Sequence, residues 1–394
     1  RPVRPISPSA RRGAWSAEGT ALTIVTILLV VFGLVMSFSA SFVDAAASGD
    51  AFRVFRRQAT WALVGGIVFV VAAKLPHRWW RPLSLPMLVA SIVGLGLVLV
   101  PSIGVMQYGA QRWIGIGSVT VQPSEAAKLA VLLWLAHAYE RRRPADGTVH
   151  DLANLLVPAL PVLGVVGLLV MLQPDLGTTI LLAGIVGAVL WIEGLPGRMV
   201  AWFALGGVVL ITLLTVVAPY RMLRITGWLS PETAPLDGGF QLLQSRYALG
   251  SGGVFGLGLG ESRGKWHFIP NPDSDFIFAI IGEELGLLGA LCVLVLFTAL
   301  LGLGLRVAYR VPDAFGRTVA FAITAWIVGQ ALVNIGTVTG LLPITGVTLP
   351  LVSVGGSSLL VTLAALGILA SLARDVPARR PGARQQQTHR GGRS

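Results

Sequence analysis

The chain has 394 residues, 54% of them hydrophobic and only 12% charged, with a mean hydropathy of +0.76. Ordinary soluble domains carry about 25% charged residues, so composition excludes a soluble enzyme and leaves a polytopic membrane protein. The formal charge of +12 raises the question of nucleic acid, and the single cysteine, Cys292 in an apolar run, excludes an intrachain disulfide.

Apolar runs long enough to span lipid fall at Leu22 to Phe38, Trp61 to Ala73, Leu83 to Val100, Ala126 to Tyr139 and Leu152 to Leu172. Five more follow at Leu176 to Ile192, Met199 to Val217, Phe276 to Leu305, Thr318 to Leu342 and Val352 to Ala373. Crossing the hydrocarbon takes about 20 helical residues, so the second and fourth runs must borrow polar flanks. The expectation is an all-α membrane protein of ten transmembrane helices, with a long extracytoplasmic loop between the seventh and eighth. With the N-terminus inside, twenty of the 30 Lys and Arg fall in cytoplasmic segments, nine outside, and Lys128 within a span. Positive charge inside thus accounts for most of the basic balance without nucleic acid.

Residues 1–20 read as a cytoplasmic tail, 21–373 as the membrane domain and 374–394 as a second, disordered cytoplasmic tail. The first run, preceded by arginines and followed by "SFSAS", has the length of an uncleaved anchor rather than of a signal sequence.

Between the third and fourth spans lies "QRWIGIGSVTVQPSEAAKLAVLLWLA". Pro123 suits the first position of a helix, Glu125 its first turn, and Lys128 stands three residues further on the same face. The pair is either structural or part of a cationic cavity with Arg112 and Arg57 at the outer surface, which suits a phosphorylated or pyrophosphorylated lipid. "LQPDLGTT" adds Gln173 and Asp175 between the fifth and sixth spans. The outside segment 218–275 is too apolar and aromatic for disorder, and reads as short amphipathic helices and turns over the bundle.

It ends in "NPDSDFIFAIIGEELG". Pro270 and Pro272 keep the chain extended, Asp273 or Ser274 caps the next helix, and Asp275 falls in its first turn at the outer membrane surface. A lone aspartate there is usually only a cap that complements the helix dipole. Glu283 and Glu284 lie about 12 Å deeper and about 100° apart around the helix, so at least one faces the protein interior and needs a partner. On the ninth span Gln330, Asn334 and Thr337 share a face, as expected for interhelical hydrogen bonds. "GLGLG" at Gly256 to Gly260 reads as a flexible turn, and "VGGSSLL" around Ser357 as small residues for helix packing. No histidine or cysteine cluster has zinc-site spacing.

"RWIGIGSVTVQPSEAAKLA", "LLQPDLGTT", "GFQLLQSRYALGSGGVFGLGLGESRGKWHFIPNPDSDFIFAIIGEELGLLG" and "NIGTVTGLLPITGVTLPLVSVGGSSLL" together resemble the SEDS family of cell-wall polymerases, to which FtsW, RodA and SpoVE belong. The resemblance covers everything between the tails. "MSFSAS", "FRRQ" and "ILASLAR" are closest to the FtsW branch, whereas "GGSSLL" leans toward RodA. The resemblance implies ten transmembrane helices, polymerisation of lipid II into glycan strands, and a class B penicillin-binding transpeptidase and other divisome membrane proteins as partners. It implies Asp275 as the essential aspartate, Glu125 and Lys128 as the essential pair of the fourth span, and Arg112 as the arginine before tryptophan. The site expected is Asp275 as general base, with Arg57, Arg112, Glu125, Lys128, Gln173, Asp175, Gln244 and Lys265 around the substrate. Glu283, Glu284, Gln330 and Asn334 are expected to support it, and a divalent cation, Mg or Mn, to bridge the pyrophosphate. The location expected is the bacterial inner membrane at the division septum. A RodA-like elongation polymerase and a lipid II flippase are the alternatives, with a non-catalytic scaffold as a third.

Overall fold

The structure, a computed structural model, describes residues 16–47, 49–107, 109–117, 119–142, 152–217, 219–232, 238–266 and 272–374. The expectations for the two tails fall almost wholly outside these residues. The elements in order are α1 (Ala17–Ala47), α2 (Arg53–Lys74), α3 (Trp80–Val98), β1 (Gly104–Gln107), β2 (Ala110–Ile116), β3 (Val119–Val121) and α4 (Pro123–Arg142). They continue with α5 (Leu152–Leu172), α6 (Leu176–Ile192), α7 (Gly197–Val217), α8 (Pro219–Leu229), α9 (Gly238–Ser251), α10 (Ile277–Arg310), α11 (Ala314–Thr339) and α12 (Gly356–Arg374).

Each of the ten apolar runs lies on a helix, and α8 and α9 occupy the long loop. Seven helices among the described residues are long and apolar enough to cross a membrane; α6 and part of α7 are shorter apolar helices. α4 is not among the seven, because Glu125, Lys128 and its basic last turn interrupt its hydropathy. The most intimate packing joins α2 to α12, α10 to α11 and α3 to α4.

The expectation of an all-helical chain needs one correction. β1, β2 and β3 form a small antiparallel sheet between α3 and α4. Its turns pass through Gly109 and Gly117, both at positive φ, and its strands are too short to show an alternating pattern in so apolar a chain.

α10 also departs from the continuous helix expected. Gly286 adopts φ 67° and ψ −162°, which breaks the helix just after Glu283 and Glu284. A break strands carbonyls on one side and N–H groups on the other, and nothing in lipid can satisfy them. The segment after α9 does so instead. Leu257 and Gly258 donate to the carbonyls of Glu283 and Glu284 at 2.9 and 3.0 Å, and Leu287 and Leu288 donate to Gly253 and Val254 at 2.9 and 3.2 Å. The "GLGLG" stretch is therefore a fixed plug in the helix break rather than a flexible turn.

At the opposite end of the bundle, Arg81 on α3 bonds both oxygens of Glu140 on α4 at 2.8 Å and Asp313 at 2.7 Å. Asp313 also caps α11 through Gly316. This clasp holds three helices together far from the acidic end.

Candidate functional site

The segment Asp273 to Asp275 is not extended as expected but forms a turn, held as a strap against the chain between α11 and α12. The Asp273 carbonyl accepts from Val354 N at 2.9 Å, that of Ser274 from Ser353 Oγ at 2.6 Å, and that of Asp275 from Asn334 Nδ2 at 2.8 Å. Asn334 Nδ2 also donates to Val347 O at 2.7 Å. Gln58 at the start of α2 brackets the same segment, bonding Ser353 O and Gly355 N. Two expectations are corrected here. The helix begins at Ile277 with Phe276 at its N-cap and no side-chain cap bond, so neither Asp273 nor Ser274 caps it, and Asp275 precedes the first turn. Asn334 of α11 holds this loop, whereas Gln330 also makes the interhelical bond expected of that face, to Lys128 on α4.

The backbone is spent on these bonds, and among the described residues the Asp275 carboxylate accepts no hydrogen bond. A Cβ on Gly346, which has φ +70°, would lie 3.7 Å from its Oδ2. The side chain is half-buried. Burial pushes its carboxyl up to about 6, against the pull of Arg224 and then Arg112, while Asp273 and Asp175 push the same way as burial. It is therefore a weak acid that ionises near neutrality, in the field of two guanidinium groups.

One turn deeper on α11, Gln330 organises the second layer. Its Oε1 accepts from Lys128 Nζ at 3.0 Å and from Trp326 Nε1 at 2.9 Å, and its Nε2 donates to Thr348 O at 3.0 Å. Lys128 is 1% exposed, pairs with Glu125 at 2.9 Å and lies 5.1 Å from the centre of the Trp326 ring. The Glu125–Lys128 pair expected from spacing is present, as a closed internal cage. On the other flank Arg112, carried by β2, donates Nε to Gln173 O at 3.1 Å and Nη2 to Pro174 O, with Nη1 3.9 Å from Asp175. Asp175 caps α6, accepting from the N and Oγ1 of Thr178 at 3.1 and 2.9 Å. Gln173 donates to Leu95 O at 3.0 Å.

These elements match the family model described as "Cell cycle protein", that of FtsW, RodA and SpoVE, over residues 20–377. The chain belongs to the FtsW/RodA/SpoVE family.

Relatives in the family include the probable peptidoglycan glycosyltransferase FtsW of Mycobacterium tuberculosis, 41% identical over 94% of this chain and 71% of that protein. Stage V sporulation protein E of Bacillus subtilis is 40% identical over 90% of this chain and 96% of that protein. Among solved structures, a chain of a peptidoglycan synthase complex that coordinates polymerization and crosslinking superposes with a TM-score of 0.74, at 31% identity over 92% of this chain and 98% of that one. The rod shape determining protein RodA of Thermus thermophilus gives 0.67, at 30% identity over 93% and 99%.

Within this family architecture, the remaining expected residues separate into two groups. Glu283 and Glu284 are fully used in holding the plug: Glu283 accepts from Ser262 Oγ, Arg263 N and Gly264 N at 2.5, 2.9 and 3.2 Å. Glu284, 0% exposed, accepts from Ser39 Oγ at 2.6 Å and pairs with Lys265 Nζ at 3.3 Å. Lys265 is thereby held beside the plug, by Glu284 and the Gly260 carbonyl. Gln244 is half-buried on α9, and Arg57 stands exposed near the start of α2. Sequence reasoning missed Gln58, Ser353 and Arg224. The first was visible within "FRRQ", but nothing in the sequence signalled that it would bracket a loop almost 300 residues away.

Among the described residues no group of three or more His, Cys, Asp or Glu stands ready for a metal ion. Asp175 is occupied by its cap and by Arg112. The donor set does not make a resident metal site; Mg²⁺ commonly binds one or two carboxylates together with substrate phosphates, and would have to arrive with them.

Proposed function

We propose that the chain is a peptidoglycan glycosyltransferase of cell division that polymerises lipid II at the outer face of the bacterial inner membrane, with Asp275 as general base. The observation that carries this reading is a half-buried carboxylate, raised to about 6 and fixed by its backbone beside Arg112 and Arg224. A base poised near the operating pH with anion-binding groups beside it suits displacement of a phosphorylated leaving group by a hydroxyl.

In this mechanism a sugar hydroxyl of one lipid II attacks the anomeric carbon of another chain. The new C–O bond forms as the bond to pyrophosphate breaks, inverting α to β. The hydroxyl proton goes to Asp275 and the electron pair leaves on the pyrophosphate oxygen. Because that group departs as a stable anion, no second carboxylic acid is required.

The division role follows the relatives named FtsW. The proposed topology has ten spans, both termini cytoplasmic and the strap outside, consistent with twenty of 30 basic residues in the inner segments. The likeness to a synthase complex supports a penicillin-binding transpeptidase as partner. The test is glycan synthesis from labelled lipid II in detergent, with the transpeptidase added, by wild type and Asp275→Asn. Polymer from the first and none from the second, at equal folding, supports the reading. Movement of lipid II between leaflets with no polymer from wild type would replace it with a flippase.

A further inference from the structure

We propose that Arg224, carried on α8, binds the pyrophosphate of the lipid-linked donor together with Arg112, and that Lys128 does not. The inference rests on the glycosyl-transfer reading and assigns its anion subsite.

The cations within the described site differ in what they have left to offer. An ammonium has three donors. Those of Lys128 face Glu125 Oε1 at 2.9 Å, Gln330 Oε1 at 3.0 Å and the Trp326 ring at 5.1 Å, inside the bundle. Lys265 is likewise enclosed by Glu284 and the Gly260 carbonyl. Arg112 spends Nε and Nη2 on two carbonyls, which orient the fork without neutralising it, and its nearest carboxylate in an ion pair is 3.9 Å away. Arg112 is therefore an aimed but incompletely satisfied cation. A pyrophosphate carries more charge than one guanidinium balances.

Arg224 supplies the second. Trp228 Nε1 donates to Gly340 O at 3.0 Å, which pins α8 to the C-terminal end of α11. Arg224 lies four residues earlier, so it shares the helix face that meets this end of the bundle. From Gly340 the chain runs to Gly346, beneath the Asp275 carboxylate. Arg224 is exposed, and among the described residues it makes no ion pair within 4.0 Å. Its charge nonetheless acts on Asp275 more strongly than that of Arg112. Arg246, by contrast, packs on Gly340 itself, where a Cβ would meet its Nη2 at 2.5 Å. A guanidinium fork matches phosphate oxygens bidentately, as a lysine cannot.

The arrangement has a chemical consequence. Before the donor binds, both arginines favour the Asp275 anion and so weaken it as a base. When pyrophosphate takes up their charge, that stabilisation is withdrawn, and the carboxylate becomes more basic as the donor arrives.

The experiment uses the full chain in detergent with undecaprenyl pyrophosphate as the probe, comparing wild type, Arg224→Gln and Arg224→Lys at matched thermal stability. Loss of a charge-assisted contact predicts about tenfold weaker binding for Arg224→Gln, with partial recovery in Arg224→Lys. Undecaprenyl monophosphate should be affected less. The acidic limb of kcat/KM should also move to higher pH in Arg224→Gln, because the free enzyme loses a cation beside its base. Wild-type affinity and an unmoved limb in Arg224→Gln would overturn the inference while leaving lipid II polymerisation standing. Weakened probe binding in a chain that makes no polymer would support the anion subsite and sink the transferase reading instead.

Discussion

Lowering the pH from 7.5 to 5 should cost the enzyme about tenfold in kcat/KM. With its carboxyl pushed up to about 6, Asp275 is ionised in only about a tenth of molecules at pH 5. At the ordinary value of 3.8 it would stay more than about 90% ionised there, and the rate would barely change. The assay is initial-rate polymerisation of lipid II across pH 4.5 to 8, with each sample returned to pH 7.5 to confirm that activity recovers. Stability should move in the opposite sense to that of a salt-bridged acid. The folded-state carboxyl lies above its unfolded value, so the folded chain binds more protons than the unfolded chain between about 3.8 and 6. Stability is therefore lost as pH rises through that window, and the cost of the buried anion is fully present above it. Asp275→Asn should accordingly abolish polymerisation yet raise Tm at pH 7.5, with the gain vanishing below about pH 4. An activity profile flat down to pH 5, or an Asn variant less stable than wild type at neutral pH, would refute the environment assigned to this carboxylate.

Three further outcomes follow from the supporting contacts. Asn334→Ala removes both bonds that fix the strap to Val347 and Asp275, and should lower kcat with little change in KM, measured by steady-state polymerisation. Lys128→Ala should strand Glu125 in the interior and cost about 3–5 kcal/mol, whereas Lys128→Met combined with Glu125→Gln should recover much of it, as read by a thermal-melt double-mutant cycle. Gly286→Ala forces a Cβ to within 2.4 Å of Gly256 N and 2.5 Å of Val254 O at a φ of 67°, so folded yield in detergent should collapse; normal yield would mean the plug is not fixed to the helix break.

The helices were legible because apolar length is written directly into composition, and the Glu125–Lys128 pair because a helix repeats every few residues. The break at Gly286 was not. A glycine between leucines in an apolar run is read as lipid-packed helix, and only the four backbone bonds from residues 253–258 show why this one is bent. The strap was hidden for a related reason. Asp273 and Ser274 carry the side chains of a helix cap, so local chemistry favours a cap. The competing bonds are donated by Val354 N and Ser353 Oγ, about 80 residues away, to the carbonyls of Asp273 and Ser274. The small sheet was missed because Arg112 and its neighbours lie in strands of three to seven residues, too short for a period to emerge.

The four acids of the stretch that begins at Asp273 show how the fold separates support from chemistry. Glu283 and Glu284 are deeper in the bundle and each is met by several donors, including Ser262, Ser39, Lys265 and two backbone N–H groups. Such carboxylates are committed to holding the backbone around the helix break. Asp273 and Asp275 sit on the strap, where the backbone is anchored at three successive carbonyls. Anchoring through the backbone fixes the position of a side chain without satisfying it. Among the described residues the Asp275 carboxylate accepts no hydrogen bond, and burial raises it while the arginines nearby act only as a field. A group so placed is costly to keep in the folded state, and its unsatisfied oxygen is what a hydroxyl nucleophile needs as a proton acceptor. The destabilisation and the basicity are the same property, which is why stability and activity are expected to respond in opposite directions to the loss of this one carboxylate.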